Sequence, residues 1–146
     1  MSYRDTSCLI KLYTPEPDSP VFRTHLAGPG TCVPCDIAPL EFWATVRRKE
    51  TEEVLAAGEA DRVQAAFEAD LAAGVISVVA CDAAVRQKFR VIVEQCHART
   101  PAIYIRTNDA LHLAAASCAG ETEIVVTDKR LREAALLLGL AVFPPP

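Results

Sequence analysis

The stretch that decides the fold is IVVTDKRLREAALLLGLAVF, residues 124–143. Its opening run, Ile124 to Val126, predicts a short apolar strand. Lys129 to Leu138 predicts a helix that ends at Gly139, and Ala141 to Phe143 predicts a second strand. A strand, a helix and a strand in this order are typical of a βαβ unit, in which the two strands lie parallel in one sheet.

The same alternation continues towards the N-terminus. Val75 to Cys81 predicts the clearest strand, because a continuous β-branched run is of the kind buried on both faces of a parallel sheet. The other predicted strands are 1–4 and 32–36, and the predicted helices are 5–13, 19–26, 39 to a frayed end at 50–53, 59–73, 82 to about 96, and 108–119. We therefore expect an α/β fold, a single three-layer α/β/α domain over residues 1–146 with a central, mostly parallel sheet.

Composition limits the classes of protein that the chain can be. The 146 residues, 51% of them hydrophobic, are enough for one domain with a real core. No apolar run approaches the roughly 20 residues of a membrane-spanning helix, and the N-terminus lacks a signal peptide, so we expect a cytoplasmic protein. The net charge of −4 does not by itself indicate nucleic-acid binding. Basic residues do cluster along the sequence, but these clusters are equally well explained as solvated helix faces.

The six cysteines are expected to be reduced, because the chain has no export signal and its core needs no disulfide framework. Cys32 and Cys35 form a C-x-x-C pair, but no second pair completes a zinc ribbon. For this pair we favour packing in a buried strand over redox or metal chemistry. The remaining cysteines are expected to be small core residues: Cys8, Cys81, Cys96 and Cys118.

Acidic residues begin several of the predicted helices. Ligands of open parallel sheets bind at the carboxyl ends of the strands, and the acids expected there are Asp5, Glu41, Asp109 and Asp128. Each also has a purely structural explanation, because acids in the first turn stabilise a helix and Asp is a common N-cap. Asp82 follows a strand and opens a helix in the same way. Spacing alone does not separate Asp82 from the other four.

Four local motifs occur in order along the chain. They are YRDTSCLIKLY (3–13), PLEFWA (39–44) with Arg47 and Arg48, RTNDALHLAAA (106–116), and TDKRL (127–131) followed by Ala134-Ala135 and Gly139-Leu140. Together they resemble the motifs of PIN-domain nucleases of the VapC toxin type, and the resemblance spans nearly the whole chain. It implies a PIN-like (Rossmann-like) fold and a ribonuclease activity.

The resemblance also implies which residues do the chemistry. Carried over residue by residue, it gives a metal-binding and catalytic cluster of Asp5, Glu41, Asp109 and Asp128, with Thr6 and Thr127 as supporting hydroxyls. Arg4 departs from the family, which has an apolar strand residue there; it either weakens burial of the first strand or touches phosphate. His112 lies one turn after Asp109 on the same face. It either packs as a core residue or donates a hydrogen bond to the substrate or to Asp109.

Oxygen-only ligand sets favour Mg²⁺ or Mn²⁺ over zinc, and four like charges in one pocket repel strongly without a cation. We therefore expect a metal-activated water to attack an RNA phosphodiester in line, with no covalent enzyme intermediate. The resemblance implies products with 5′-phosphate and 3′-hydroxyl ends. The chain has no row of aromatic residues to stack bases, so the expected RNA contacts are basic residues of the rim: Lys11, Arg47, Arg48 and Lys129.

The resemblance implies partners as well: an RNA substrate, a second copy of the chain in a homodimer, and a cognate antitoxin that lies across the active site. Apolar helix residues such as Leu9 and Trp43 either contact that antitoxin or belong to the core. Two alternatives stay open, a PIN-fold nuclease that works in RNA processing or on DNA without an antitoxin, and a non-catalytic RNA- or protein-binding module. An aspartyl phosphatase ranks last, because Ser7 occupies the place of the second Asp that such an enzyme needs.

Overall fold

A parallel sheet lies at the centre of the computed structural model, which describes residues 2–26 and 32–145. Its strands in that part of the chain are β1 (Ser2–Arg4), β2 (Cys32–Val33), β3 (Glu123–Val125) and β4 (Ala141–Phe143). The strand order is β2-β1-β3-β4, with every neighbouring pair parallel. Tyr3 of β1 pairs with Val33 on one side and with Ile124 on the other. The first strand therefore lies inside the sheet, and the chain that leaves it emerges at the middle of the carboxyl edge.

Helices connect the strands. In chain order they are α1 (Thr6–Ile10), α2 (Ser19–Leu26), α3 (Ala38–Thr51), α4 (Glu59–Ala72), α5 (Ala83–Ala98), α6 (Thr107–Cys118) and α7 (Lys129–Leu137). Pro39 lies in the first turn of α3, where its missing N–H costs no hydrogen bond. No helix in the described ranges is both long enough and apolar enough to span a membrane.

The sheet is covered on both faces. Ile124 of β3 joins the core formed by α5, α6 and α7, while the next residue, Val125, packs with Cys8 of α1 and Phe22 of α2. Successive residues of a strand point to opposite faces, so helices must lie on both sides of the sheet. The predicted α/β class with three layers and a parallel central sheet is confirmed. The βαβ unit of residues 123–143 has the predicted boundaries to within about one residue.

The strand predicted at Val75 to Cys81 is wrong. In the structure this segment holds isolated bridge residues, Ile76 and Val79, instead of a strand, and Val79 pairs with Cys35 beside the edge strand β2. Val79 donates to the Pro34 carbonyl at 2.8 Å and accepts from the Asp36 N–H at 2.9 Å. Pro34 has no N–H to extend the ladder, and the chain turns into α3 directly after Asp36. Val75 and Val78 are therefore exposed at the edge of the sheet rather than buried on both faces.

Smaller differences concern the first helix and the cysteines. Helix α1 ends at Ile10 and continues as turns to Tyr13, instead of running on as one helix. Cys118, predicted in the core, is exposed at the end of α6, and Cys81 is half-buried. Cys35 is buried as expected, whereas the side chain of Cys32 lies outside the described residues. Arg4 is buried within β1, with 6% of its surface exposed.

Candidate functional site: an acidic pocket

One pocket at the carboxyl edge of the sheet brings the four predicted acids together. We call it the acidic pocket, and its wall includes Asp5, Thr6, Glu41, Arg106, Asn108, Asp109, Thr127 and Asp128. Each acid comes from a different element. Asp5 links β1 to α1, Glu41 lies in the first turn of α3, Asp109 lies in the first turn of α6, and Asp128 precedes α7. The parallel order of β1 and β3 places two of these helix starts side by side.

The acids of the pocket differ in how they serve their own helices. Asp82, outside the pocket, is an ordinary N-cap whose carboxylate accepts the Val85 N–H. Asp128 does the same for the Leu131 N–H while it also faces the pocket. Asp5 occupies an N-cap position, but its side chain makes no capping hydrogen bond. Capping of a helix therefore accounts fully for the presence of Asp82 and partly for that of Asp128. It does not account for the orientation of the Asp5 carboxylate.

Three hydrogen bonds hold the carboxylate of Glu41. Thr6 donates to Oε2 at 2.6 Å, His112 Nε2 lies 2.8 Å from the same oxygen, and Asn108 donates to Oε1 at 2.7 Å. Burial opposes ionisation of this side chain, but the three donors outweigh burial and hold the pKa of Glu41 below its ordinary value. Glu41 is therefore ionised and fixed in one orientation.

The contact from His112 is itself fixed by a chain of hydrogen bonds from the backbone. The Cys35 N–H donates to the Tyr3 hydroxyl oxygen at 2.8 Å, and the Tyr3 hydroxyl lies 2.7 Å from His112 Nδ1. Tyr3 and His112 are almost fully buried. With its oxygen accepting from Cys35, Tyr3 donates its own proton to Nδ1, which leaves Nε2 to carry the proton donated to Glu41. His112 thus contacts Glu41, rather than Asp109 as one sequence interpretation had it.

Asp5 experiences the excess of negative charge in the pocket. Burial raises the pKa of Asp5 above its ordinary value, and the neighbouring carboxylates of Glu41 and Asp109 raise it further. His112, 3.7 Å from Asp5 Oδ1, and a hydrogen bond from Ser7 oppose this rise without cancelling it. The ionised form of Asp5 is therefore disfavoured in the protein as described, and a cation in the pocket would relieve that cost.

Arg106 bridges the other two acids. Its guanidinium contacts Asp109 through Nε at 2.7 Å and through Nη2 at 3.2 Å, and the same Nη2 lies 3.2 Å from Asp128. The hydrogen bonds with Asp109 raise the pKa of Arg106 further above its already high ordinary value. Arg106 and Asn108 lie in the motif of residues 106–116, but no role was predicted for either of them. The three-residue spacing between Arg106 and Asp109 was the available signal, since residues so spaced at a helix start can meet.

The four predicted RNA-contacting residues are not placed alike. Arg48 lies on the pocket wall. Lys11 is only 11% exposed and is paired with Glu16 and Asp18. Arg47 lies over the Trp43 ring and within 3.5 Å of Glu50 and Asp61. Lys129 is exposed beside Asp128. The structure therefore brings Arg48 to the pocket, and it engages Lys11 and Arg47 elsewhere.

The donor chemistry of the pocket fits a hard divalent cation, because carboxylate and hydroxyl oxygens are what Mg²⁺ and Mn²⁺ prefer. The pocket also holds more negative than positive side chains, as a cation site requires. Even so, no three His, Cys, Asp or Glu side chains in residues 2–26 and 32–145 lie close enough to share one metal ion as they are arranged. Asp109 and Asp128 face Arg106, while Glu41 is held by its hydrogen-bond donors.

Comparisons with known proteins agree with this architecture. The profile of the PIN domain family matches residues 3–137 of the chain. A crystal structure of Mycobacterium tuberculosis VapC20, described as a sarcin–ricin loop cleaving toxin, matches with a TM-score of 0.68 at 16% sequence identity, covering 92% of this chain and 95% of that one. At this identity the match shows a shared fold. No curated protein matches the chain.

Proposed function

The chain belongs to the PIN domain family, and from that premise we propose that it is a Mg²⁺- or Mn²⁺-dependent endoribonuclease. The observation that supports this most is the convergence of four carboxylates from four helix starts on one pocket. The proposed catalytic and metal-binding residues are Asp5, Glu41, Asp109 and Asp128, with Thr6 and Thr127 as supporting hydroxyls.

The charge of the pocket supports the proposed requirement for a cation. The RNA backbone is an anion, and a pocket with a surplus of carboxylates repels it. When bound, Mg²⁺ or Mn²⁺ would offset that repulsion and would supply a Lewis acid for hydrolysis of the phosphodiester.

The chain's own side chains provide order and additional contacts. Thr6, Asn108 and His112 keep Glu41 ionised and oriented, so its carboxylate needs no reorganisation when the substrate arrives. Arg48 on the pocket wall supplies a positive charge for the RNA backbone. Lys11 is withdrawn from the proposed RNA contacts, because its ammonium group is paired with Glu16 and Asp18.

We propose further that the protein acts in the cytoplasm as the toxin of a toxin–antitoxin pair, and that it forms a homodimer. The fold shared with VapC20, a toxin described as cleaving the sarcin–ricin loop, supports this proposal. Two exposed apolar residues of α3 on either side of Glu41 in the sequence also support it. Leu40 is 74% exposed and Trp43 is 38% exposed. Exposed apolar side chains beside an acid of the pocket suit a protein inhibitor that covers it.

The first test is cleavage of a mixed RNA pool in Mg²⁺ or Mn²⁺ by the native protein and three variants. Asp5→Asn and Asp109→Asn are expected to lose on the order of 100-fold or more in rate, as removal of one electrostatic stabiliser does. Asp82→Asn is the matched control, an acid at a helix start outside the pocket, and should cut at the native rate. Equal activity in all four proteins would remove the pocket from the mechanism, and no cutting by any of them would favour a non-catalytic RNA- or protein-binding module.

A further inference from the structure

Arg106 lies in the acidic pocket, and the proposed catalysis by four acids gives it no role. It precedes α6 and joins two carboxylates from different helix starts, Asp109 and Asp128. The pocket's other arginine, Arg48, makes an ion pair with Glu52 of its own helix, at 3.9 Å. One guanidinium on the pocket wall therefore binds two of the proposed metal-binding acids, and the other binds neither.

A guanidinium that bridges two carboxylates does the electrostatic work of a bound cation. It neutralises charge that would otherwise repel across the pocket, and its fork meets the two oxygens of Asp109. Those same oxygens are needed by a divalent ion. Within residues 2–26 and 32–145, no three potential ligands are arranged to share one metal ion. Metal binding by Asp109 and Asp128 would therefore require a different arrangement from the one in which they contact Arg106.

We propose that Arg106 is a tethered counter-cation of Asp109 and Asp128 that gives up these acids when a divalent ion binds and then contacts the phosphate of the RNA. This inference rests on the proposed function of the same pocket. The metal ion takes the place of Arg106 at the two carboxylates, but Arg106 stays at the pocket, where its side chain is 59% exposed.

The physical terms favour such an exchange. Asp109 is only 9% exposed, but the guanidinium of Arg106 is 59% exposed and screened by water, so Arg106 yields to a divalent ion while still weakening the ion's apparent affinity. A released guanidinium presents two parallel N–H groups, which match a phosphate group as well as they match a carboxylate. The same residue can therefore balance the charge of the pocket in one state and contact substrate in the other.

The test is a calorimetric titration of Mn²⁺ into four proteins: native, Arg106→Gln, Arg106→Lys and Arg48→Gln. Arg106→Gln is expected to bind Mn²⁺ about threefold to fivefold more tightly than native protein, the factor that corresponds to losing a competing ion pair of up to about 1 kcal/mol. Arg48→Gln removes the same charge from the pocket wall without touching the acids, and should tighten binding less than twofold. Arg106→Lys keeps the charge without the fork and should lie between native and Arg106→Gln.

Cleavage at saturating Mn²⁺ provides the second readout. Arg106→Gln is expected to raise KM several-fold even though it binds metal more tightly, and Arg106→Lys should recover part of that loss. Equal tightening by Arg106→Gln and Arg48→Gln would overturn the exchange, because the effect would then be that of net charge alone. An unchanged KM would overturn the phosphate contact. Absence of Mn²⁺ binding in all four proteins would instead refute the proposed metal-dependent function.

Discussion

Two clusters of charged side chains in this molecule differ in their balance of charge. The lysine cluster, formed by Lys11, Glu16, Asp18 and Lys49, pairs each acid with an ammonium group at 2.7 to 3.0 Å. In the acidic pocket four carboxylates converge, and Arg106 pairs with two of them, Asp109 and Asp128. Both clusters are partly buried, and both join residues far apart in the sequence or in different elements. Only the first is neutral.

The pKa values of Glu16 and Asp5 follow this difference, whereas the pKa of Glu41 in the pocket is lowered by its own hydrogen-bond donors. Burial opposes ionisation of Glu16, but hydrogen bonds from Lys11 and Lys49 outweigh it and lower the pKa of Glu16. In the pocket, burial raises the pKa of Asp5, and neighbouring acids add to the rise. A balanced cluster stabilises the charges it contains, whereas an unbalanced one needs a charge from outside. That contrast distinguishes a structural cluster from a cation site.

Lys11→Met should produce the largest loss of stability, because it leaves Glu16 and Asp18 without their shared partner in a site where Lys11 is 11% exposed. We expect the free energy of unfolding in urea to fall by about 2–3 kcal/mol, less than breaking a fully buried pair costs, because Asp18 is 46% exposed and Glu16 keeps Lys49. Arg62→Met is the matched control, since Arg62 pairs with Glu59 at 2.6 Å while 77% exposed. It should lose less than about 1 kcal/mol, and equal losses would contradict the account.

The same cluster predicts a dependence on pH. The folded state lowers the pKa of Glu16 from its ordinary 4.5, so the stability contributed by its pairing is fully present above that value and is lost as pH falls through the lower folded pKa. The difference in stability between native protein and Lys11→Met should therefore shrink below about pH 4.5. A difference that grows as the pH falls would contradict the assignment.

Tyr3→Phe breaks the hydrogen-bond chain behind Glu41 and should have an intermediate effect. It leaves the Cys35 N–H and His112 Nδ1 without their partner, at a cost of about 2 kcal/mol in the free energy of unfolding. Cleavage should also slow, because His112, one of the three donors that orient Glu41, is no longer held by Tyr3. Tyr13→Phe, which removes a hydroxyl bound to Asp70 outside the pocket, should leave the rate unchanged. A rate that falls equally in both variants would argue against a positioning role for Tyr3.

Asp5→Asn should have the smallest effect on stability, with the opposite sign. The folded state raises the pKa of Asp5 from 3.8, so its ionised form costs stability at neutral pH, and this cost disappears as pH falls below the unfolded value. In EDTA at pH 7, Asp5→Asn should raise Tm by roughly 2–4 °C, the shift that about 1 kcal/mol produces in a chain of this size. The gain should vanish towards pH 3.8, and a lower Tm at pH 7 would contradict an unbalanced pocket.

Much of the fold could be predicted from sequence because local pattern and tertiary role coincide. In residues 123–143, apolar strands, an N-capping Asp128 and a terminating Gly139 all indicate the same βαβ unit. Val75 to Cys81 has equally strong β-branched character, yet its place beside the edge strand and next to Pro34 limits it to isolated bridges, such as that of Val79 with Cys35. The residue pattern of a segment indicates only its propensity to form a strand. Pairing into a sheet also needs a neighbouring strand with free N–H and C=O groups.

The pocket shows the same limit for polar residues. The acids could be proposed from sequence because their motifs occur in order, but the contacts that hold them could not. Asn108 reaches Glu41 across 67 positions of sequence, and Arg106 reaches Asp128 across 22. Lys11 was expected at the rim, but the turn that follows α1 brings it to Glu16 and Asp18 instead. The pairing of long side chains depends on how the elements are placed in the fold, and the spacing of residues within one element does not predict it.

The most direct test of the central claim, that the acidic pocket is a divalent-cation site, is the number of Mn²⁺ ions bound in electron paramagnetic resonance titrations. Native protein is compared with Asp109→Asn from the pocket and Asp18→Asn from the lysine cluster. The account predicts saturable binding by native protein, loss of that binding in Asp109→Asn, and native binding in Asp18→Asn. Saturable binding that survives in Asp109→Asn, or no binding by native protein, would contradict it.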